Sequence, residues 1–165
     1  MWADFLEQRF LASRWYDTYP LAVAGIACAQ VIGEPFLDFV YRRACIQARE
    51  DIGTMHRTLL RLVSTKTIAK RVPLVAAQYF DFVTTNAADY DDQHVSGELA
   101  GIPLDLAPWW ATLAKAYVGT AIEIARGDRV SIETISFVPT GHVEGVPVGS
   151  VFTSVDLEAE SSRGA

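Results

Sequence analysis

The hydrophobic period of the chain changes near residue 79, and that change bounds the fold more tightly than any motif. Upstream, apolar residues recur at helical spacing. The clearest stripe runs from Pro35 to about Val63, with Phe36, Val40, Ala44, Ala48, Ile52, Met55, Leu59 and Leu62 near one face. Arg42, Arg49, Glu50 and Arg57 fall elsewhere on the same helix, and Gly53 weakens it by ~1 kcal/mol relative to alanine. Before it, Trp2, Phe5, Leu6, Arg9 and Phe10 suit a short amphipathic helix, and Tyr19-Pro20 punctuates the chain. Leu21 to Ile32 follow as a nearly uncharged twelve-residue run, too short to span a bilayer and expected to be a buried helix. Gly33-Glu34-Pro35 separates this helix from the next. A short helix over Lys66 to Lys70 is expected before Pro73.

Downstream the pattern is that of strands around one more helix. Tyr79 to Thr85 is aromatic and β-branched and reads as a strand; Asn86 to Asp92 reads as a turn; His94 to Leu99 reads as the returning strand. Ile102 to Pro108 reads as a loop, with Asp105 placed to cap the helix Trp109 to Ala125. Trp110, Leu113, Ala114, Tyr117, Ala121 and Ile124 mark the buried face of that helix. Val130 to Val138 alternates as a strand, Pro139 to Gly149 reads as a breaker-rich loop, and Ser150 to Leu157 reads as a last strand. The sum is an α+β chain: N-terminal helices, then a four-stranded antiparallel sheet in two hairpins with a crossing helix. A single domain over 1–157 and a polar, disordered tail over 158–165 are expected.

Charge and cysteine usage narrow the classes of function. Fourteen Lys+Arg against twenty Asp+Glu give a net charge of −6, which opposes binding to phosphate backbones, so no nucleic-acid partner is expected. No run of eighteen uncharged apolar residues occurs, so no membrane span is expected. No secretory leader pattern follows Met1, and Cys28 and Cys45 read as buried free thiols, which together suggest a cytoplasmic setting.

No catalytic residue is assigned. The three histidines, His56, His94 and His142, have no partner at zinc-ligand spacing, and no metal site is expected. Asp81, Asp89, Asp91 and Asp92 lack the spacing of a calcium loop. No phosphate loop or Gly-x-Ser-x-Gly elbow occurs. The aromatic residues say more. Trp15, Tyr16 and Tyr19 cluster before the apolar helix, and Trp109 and Trp110 open the late one. Adjacent helical tryptophans point about 100° apart, so both are not expected to face one core equally. Candidate ligand-binding residues are Met55, His56, Trp110 and Tyr117, with Arg43 of the Arg42-Arg43 pair as a polar anchor. Candidate interface anchors are Trp15, Tyr16 and Trp109, taken as exposed.

The run Trp15-Tyr16-Asp17-Thr18-Tyr19-Pro20, the Arg42-Arg43 helix, Leu59-Leu60-Arg61-Leu62 and Tyr117-Val118-Gly119-Thr120-Ala121 followed by paired strands resemble a paralogous family of myxobacterial proteins of unknown function. The layout is more distantly similar to the ligand-binding superfamily of haem nitric-oxide sensor domains, vinyl-reductase-like domains and TRAPP-complex small subunits. That likeness implies a pocket between helices and sheet for a small or lipid-like ligand. The Tyr-x-Ser-x-Arg motif of the haem sensors and the cysteine set of the vinyl-reductase-like domains are absent, so haem binding is not carried over and the cofactor stays open. The leading expectation is a sensory or binding module for an apolar small molecule. The alternatives are an interaction or scaffold subunit acting as a homodimer, and an enzyme without a recognisable motif.

Overall fold

The structure is a computed structural model that describes residues 7, 16–53, 80–90, 94–126 and 130–157. Met55, His56, Trp15, the first and the Lys66–Lys70 helices and the tail lie outside these residues. Helix α1 spans Tyr19–Ile32, with Pro20 in its first turn where the missing N–H costs no hydrogen bond. Its first N–H, from Tyr19, donates to Asp17 Oδ1 at 3.0 Å. Gly33, at φ 71°, ends it: Gly33 N–H donates to Gln30 O and Glu34 N–H to Ala29 O, the two bonds of a Schellman cap. Helix α2, Phe36–Gly53, departs at 107° to α1. No single described helix is long and apolar enough to cross a membrane; α1 and α2 meet that test only as this bent pair.

α2 buries the stripe its sequence marks. Val40, Ala44 and Ala48 are buried, Phe36 is half-buried, and Arg42, Arg43, Arg49 and Glu50 are exposed. α1 is different. Its buried residues are Pro20, Ala22 and Ala29, whereas Leu21, Val23, Ile26, Val31 and Ile32 are exposed, Val31 by 87%. Gly25 allows the Phe36 ring to lie close, 3.3 Å from where a Cβ would stand. The helix thus turns small residues inward and large ones outward. Cys28 is exposed with them, Cys45 is half-buried, and both are free thiols, so Cys28 is not the buried residue its neighbours suggest.

Strands β1 (Thr84–Tyr90), β2 (His94–Pro103), β3 (Val130–Val143) and β4 (Val146–Leu157) form one antiparallel sheet in the order β1-β2-β4-β3. A 3-10 turn, Leu104–Leu106, joins β2 to helix α3, Ala107–Arg126. The architecture is therefore α+β, helices first and antiparallel strands after. The details correct several local readings. Phe80 to Val83 is not strand, and Asn86 to Tyr90 lies in β1 rather than a turn. Ile102 and Pro103 still belong to β2. The expected loop over Pro139 to Gly149 is the end of a long hairpin, in which Pro139 faces Gly149 and His142 faces Pro147. Only Glu144 and Gly145 turn, both at positive φ as a two-residue type I′ hairpin needs. Pro139 is tolerated because β3 is an edge strand.

α3 packs against α2 on one side and β3 on the other. Cys45 Sγ lies 4.0 Å from Ala116 O, and Tyr117 Oη donates to Asp51 Oδ2 at 3.3 Å across the two helices. This explains why Ala116 and Thr120, outside the expected buried face, are buried at 1% and 3% exposure. The main core lies where α1, α2, the start of α3 and the sheet meet: Ala22, Val40, Val83, Leu99, Ile102, Leu106, Trp109, Trp110 and Val151.

Candidate ligand site between helices and sheet

The first turn of α3 places Trp109 and Trp110 against the segment that leads into β1. The Phe80 ring centroid lies 6.2 Å from Trp109 and 6.1 Å from Trp110, edge-on to both, and 5.5 Å from Phe82. Edge-to-face contacts of this kind add to the burial of the rings. Both tryptophans are buried, at 6% and 2% exposure. Trp109 is thus not the exposed anchor expected of it, because the start of α3 is enclosed on more than one side. Phe80 and Phe82 are not singled out by the sequence; their aromatic, alternating pattern reads as strand and conceals Phe80's place over the two indoles and Phe82's place beside it.

Two buried polar atoms have no hydrogen-bond partner among the described residues, Trp110 Nε1 and Ser150 Oγ. A buried donor left unpaired costs about 1–3 kcal/mol, so natural cores rarely keep one without water or ligand. Trp110 Nε1 is a donor only, and it stands in the aromatic cluster between the helices and the sheet.

Beside this cluster a cleft of ≈ 360 Å³ is lined by Tyr16, Asp17, Thr18, Tyr19, Asp81, Phe82, Pro103 and Leu106. Three chain segments build it: the lead into α1, the turn before β1 and the end of β2. Tyr19, Phe82 and Leu106 belong both to the cleft wall and to the core or its border. Burial, then the nearby Asp105 and Asp17 carboxylates, raise the Tyr19 phenol above its usual range, so the side chain stays neutral.

The other sequence-derived candidates do not converge on one point. Tyr16 is half-buried in the cleft wall. Tyr117 is half-buried and reaches α2 rather than Trp110. Arg43 is exposed on α2. Its neighbour Arg42 bonds Glu34 at 2.7 Å and lies 5.6 Å from the Phe39 ring centroid, pinning the α1–α2 elbow. The hydrogen bond from Arg42 holds the Glu34 carboxyl below its usual range. His142 is exposed near the β3–β4 turn, and no group of three metal-ligating side chains occurs among the described residues.

No protein-family model matches the chain, and no curated protein matches its sequence. Its fold is shared by solved structures of H-NOX domains. A structure from work on haem distortion in the H-NOX family superposes with a TM-score of 0.65 at 6% identity, over 93% of this chain and 78% of that one. An oxygen-binding H-NOX domain related to soluble guanylate cyclases gives 0.63 at 8% identity, over 93% and 78%. The S. oneidensis H-NOX protein in its Fe(II)NO state gives 0.63 at 9% identity, over 96% and 88%. At such identities the likeness is one of fold.

Proposed function

We propose that the chain is a binding module that holds a small, largely apolar molecule between its helices and its sheet. The observation that carries the reading is the buried indole N–H of Trp110, without a hydrogen-bond partner among the described residues, within the aromatic cluster. A ligand with one carbonyl or hydroxyl acceptor would complete that donor, while its apolar surface meets Phe80 and Trp109. The fold it shares with H-NOX domains supports a sensing role, since those structures are described with oxygen or nitric oxide bound. Sensing also requires unequal affinity for two arrangements of the protein. The start of α3 is the element a ligand at Trp110 would move. A cytoplasmic setting and one domain over 1–157 are part of the same proposal.

Haem is not carried over to this chain from the shared fold. His142 is exposed at the hairpin end, far in character from an axial ligand, and the Tyr-x-Ser-x-Arg motif is absent from the sequence. Met55 and His56 remain candidates that lie outside the described residues. Native mass spectrometry of protein purified from cells, with an absorbance scan, tests the reading. Extra mass that is lost on denaturation and is much reduced in Trp110→Phe is the expected result. A clean apo mass across expression hosts would overturn it, and a visible band with haem mass would identify the ligand as haem.

A second reading, a homodimer, is favoured by the outward face of α1. No charged residue occurs between Asp17 and Glu34, and the large apolar side chains of that stretch face out. Two copies of a chain with charge −6 repel each other except across such a charge-free face. A second copy therefore suits it better than an anionic lipid surface. Val31→Lys is expected to shift sedimentation from dimer to monomer without changing the circular dichroism spectrum. Identical monomeric sedimentation of both proteins would remove this reading.

A further inference from the structure

The cleft beside the aromatic core carries chemistry of a different kind from the Trp110 site. The described residues that line it include three aromatics, Tyr16, Tyr19 and Phe82, and two carboxylates, Asp17 and Asp81, and no lysine, arginine or histidine is among them. Asp81 and Asp17 are exposed, while Tyr16, Tyr19 and Phe82 are half-buried. We propose that this cleft binds an organic cation of the quaternary-ammonium class, with the rings facing the cation and Asp81 supplying the counter-charge.

Aromatic faces attract a cation through their quadrupole, and neighbouring carboxylates add a Coulomb term. The positive end of α1 would oppose a cation here, but its first N–H is already bonded to Asp17 Oδ1 at 3.0 Å. Asp105 lies close enough to raise the Tyr19 phenol, so a third carboxylate adds to the field around that ring. A volume of ≈ 360 Å³ lies within the range of small-ligand sites. The net charge of −6 draws cations to the protein and disfavours anions.

Calorimetric or NMR titration of the full chain with choline tests the proposal, with the neutral isostere 3,3-dimethylbutan-1-ol as control. Saturable choline binding is expected, with the alcohol about tenfold weaker or more and Asp81→Asn about fivefold weaker. Asp81 is exposed, so its isosteric replacement leaves packing alone. Tyr16→Leu, at the cleft wall, is expected to weaken choline and leave the alcohol unchanged. Equal affinity for choline and the alcohol, or no saturable choline binding, overturns the proposal. The same headgroup could come from a lipid. Co-sedimentation with phosphatidylcholine vesicles that Asp81→Asn abolishes assigns the lipid source, and choline binding without co-sedimentation assigns a soluble one. Trp110→Phe is not expected to change choline affinity, so the fate of this site is separable from that of the Trp110 ligand.

Discussion

Trp110→Ala is expected to destabilise the protein by about 3–5 kcal/mol, the usual cost of emptying a fully buried tryptophan site. That is a large share of the about 5–15 kcal/mol that holds a domain folded. The indole is 2% exposed and meets Phe80 edge-on, so its loss leaves a cavity lined by rings that cannot collapse into it easily. Denaturant unfolding monitored at two wavelengths would measure it, and a loss under about 1 kcal/mol would contradict the packing described. Trp110→Phe separates packing from polarity. It keeps most of the apolar volume and removes the unpaired N–H, a change that alone gains about 1–3 kcal/mol in an empty site. In a site where a ligand accepts that hydrogen bond, the same change forfeits the ligand. Apo protein more stable than the ring exchange alone predicts, yet unable to gain stability from the purified ligand, is the combined signature of the binding reading.

The parts of the fold legible in the sequence are those whose pattern is local. The α2 stripe at Val40, Ala44 and Ala48 is buried as its spacing dictates, because one face of one helix meets one partner layer. Helix α1 was legible as a helix but not as to its faces: it is apolar all round, and its small residues turn inward, Ala22 into the core and Gly25 against the Phe36 ring. β1 contains Asn86 and Asp89, residues that favour turns in isolation. The strand nevertheless runs from Thr84↔Ala100 to Tyr90↔Val95, with Asn86 at an irregularity between Thr85 and Ala87 and Asp89 paired to Ser96, at a sheet edge where polar side chains are tolerated. The prolines and glycines of residues 139–149 misled for the same reason. Pro139 faces Gly149, Gly141 faces Val148 and Pro147 faces His142 in the hairpin, and pairing across strands outweighs local preference.

The candidate site was legible only in part, because it is made of residues far apart in the chain. Trp110 declares itself by its place on the α3 face. Its partner Phe80 comes from a different segment and carries no motif. The rule that neighbouring helical tryptophans cannot share a core fails at Trp109 because Phe80 bridges both indoles. The cleft draws Tyr16, Asp81 and Pro103 from three segments, and no spacing in the sequence relates them.

Gly101→Ala is the second substitution with a large expected effect, and it links the sheet to the cleft. Gly101 sits at the irregularity of β2 between Leu99 and Ile102, with φ +85°. The extra residue bends β2 toward the Phe80–Val83 segment, and a Cβ at Gly101 would collide with the Phe82 carbonyl oxygen. Left-handed backbone at a non-glycine residue costs about 1–3 kcal/mol by itself. Here the clash adds to it, since the obstacle is backbone rather than the end of a movable side chain. Gly33→Ala provides the control. Gly33 has φ +71° but nothing within 4 Å of its missing Cβ, so only the backbone part is expected there. A loss at Gly101 that exceeds the loss at Gly33 by thermal unfolding would establish the close approach; equal losses would show that β2 and Phe82 do not meet as described. The displacement required to relieve the clash separates Phe82 from Pro103, two walls of the same cleft. Gly101→Ala should therefore weaken choline well before the protein unfolds, whereas Gly33→Ala, at the far end of α1, should lose stability with choline affinity intact.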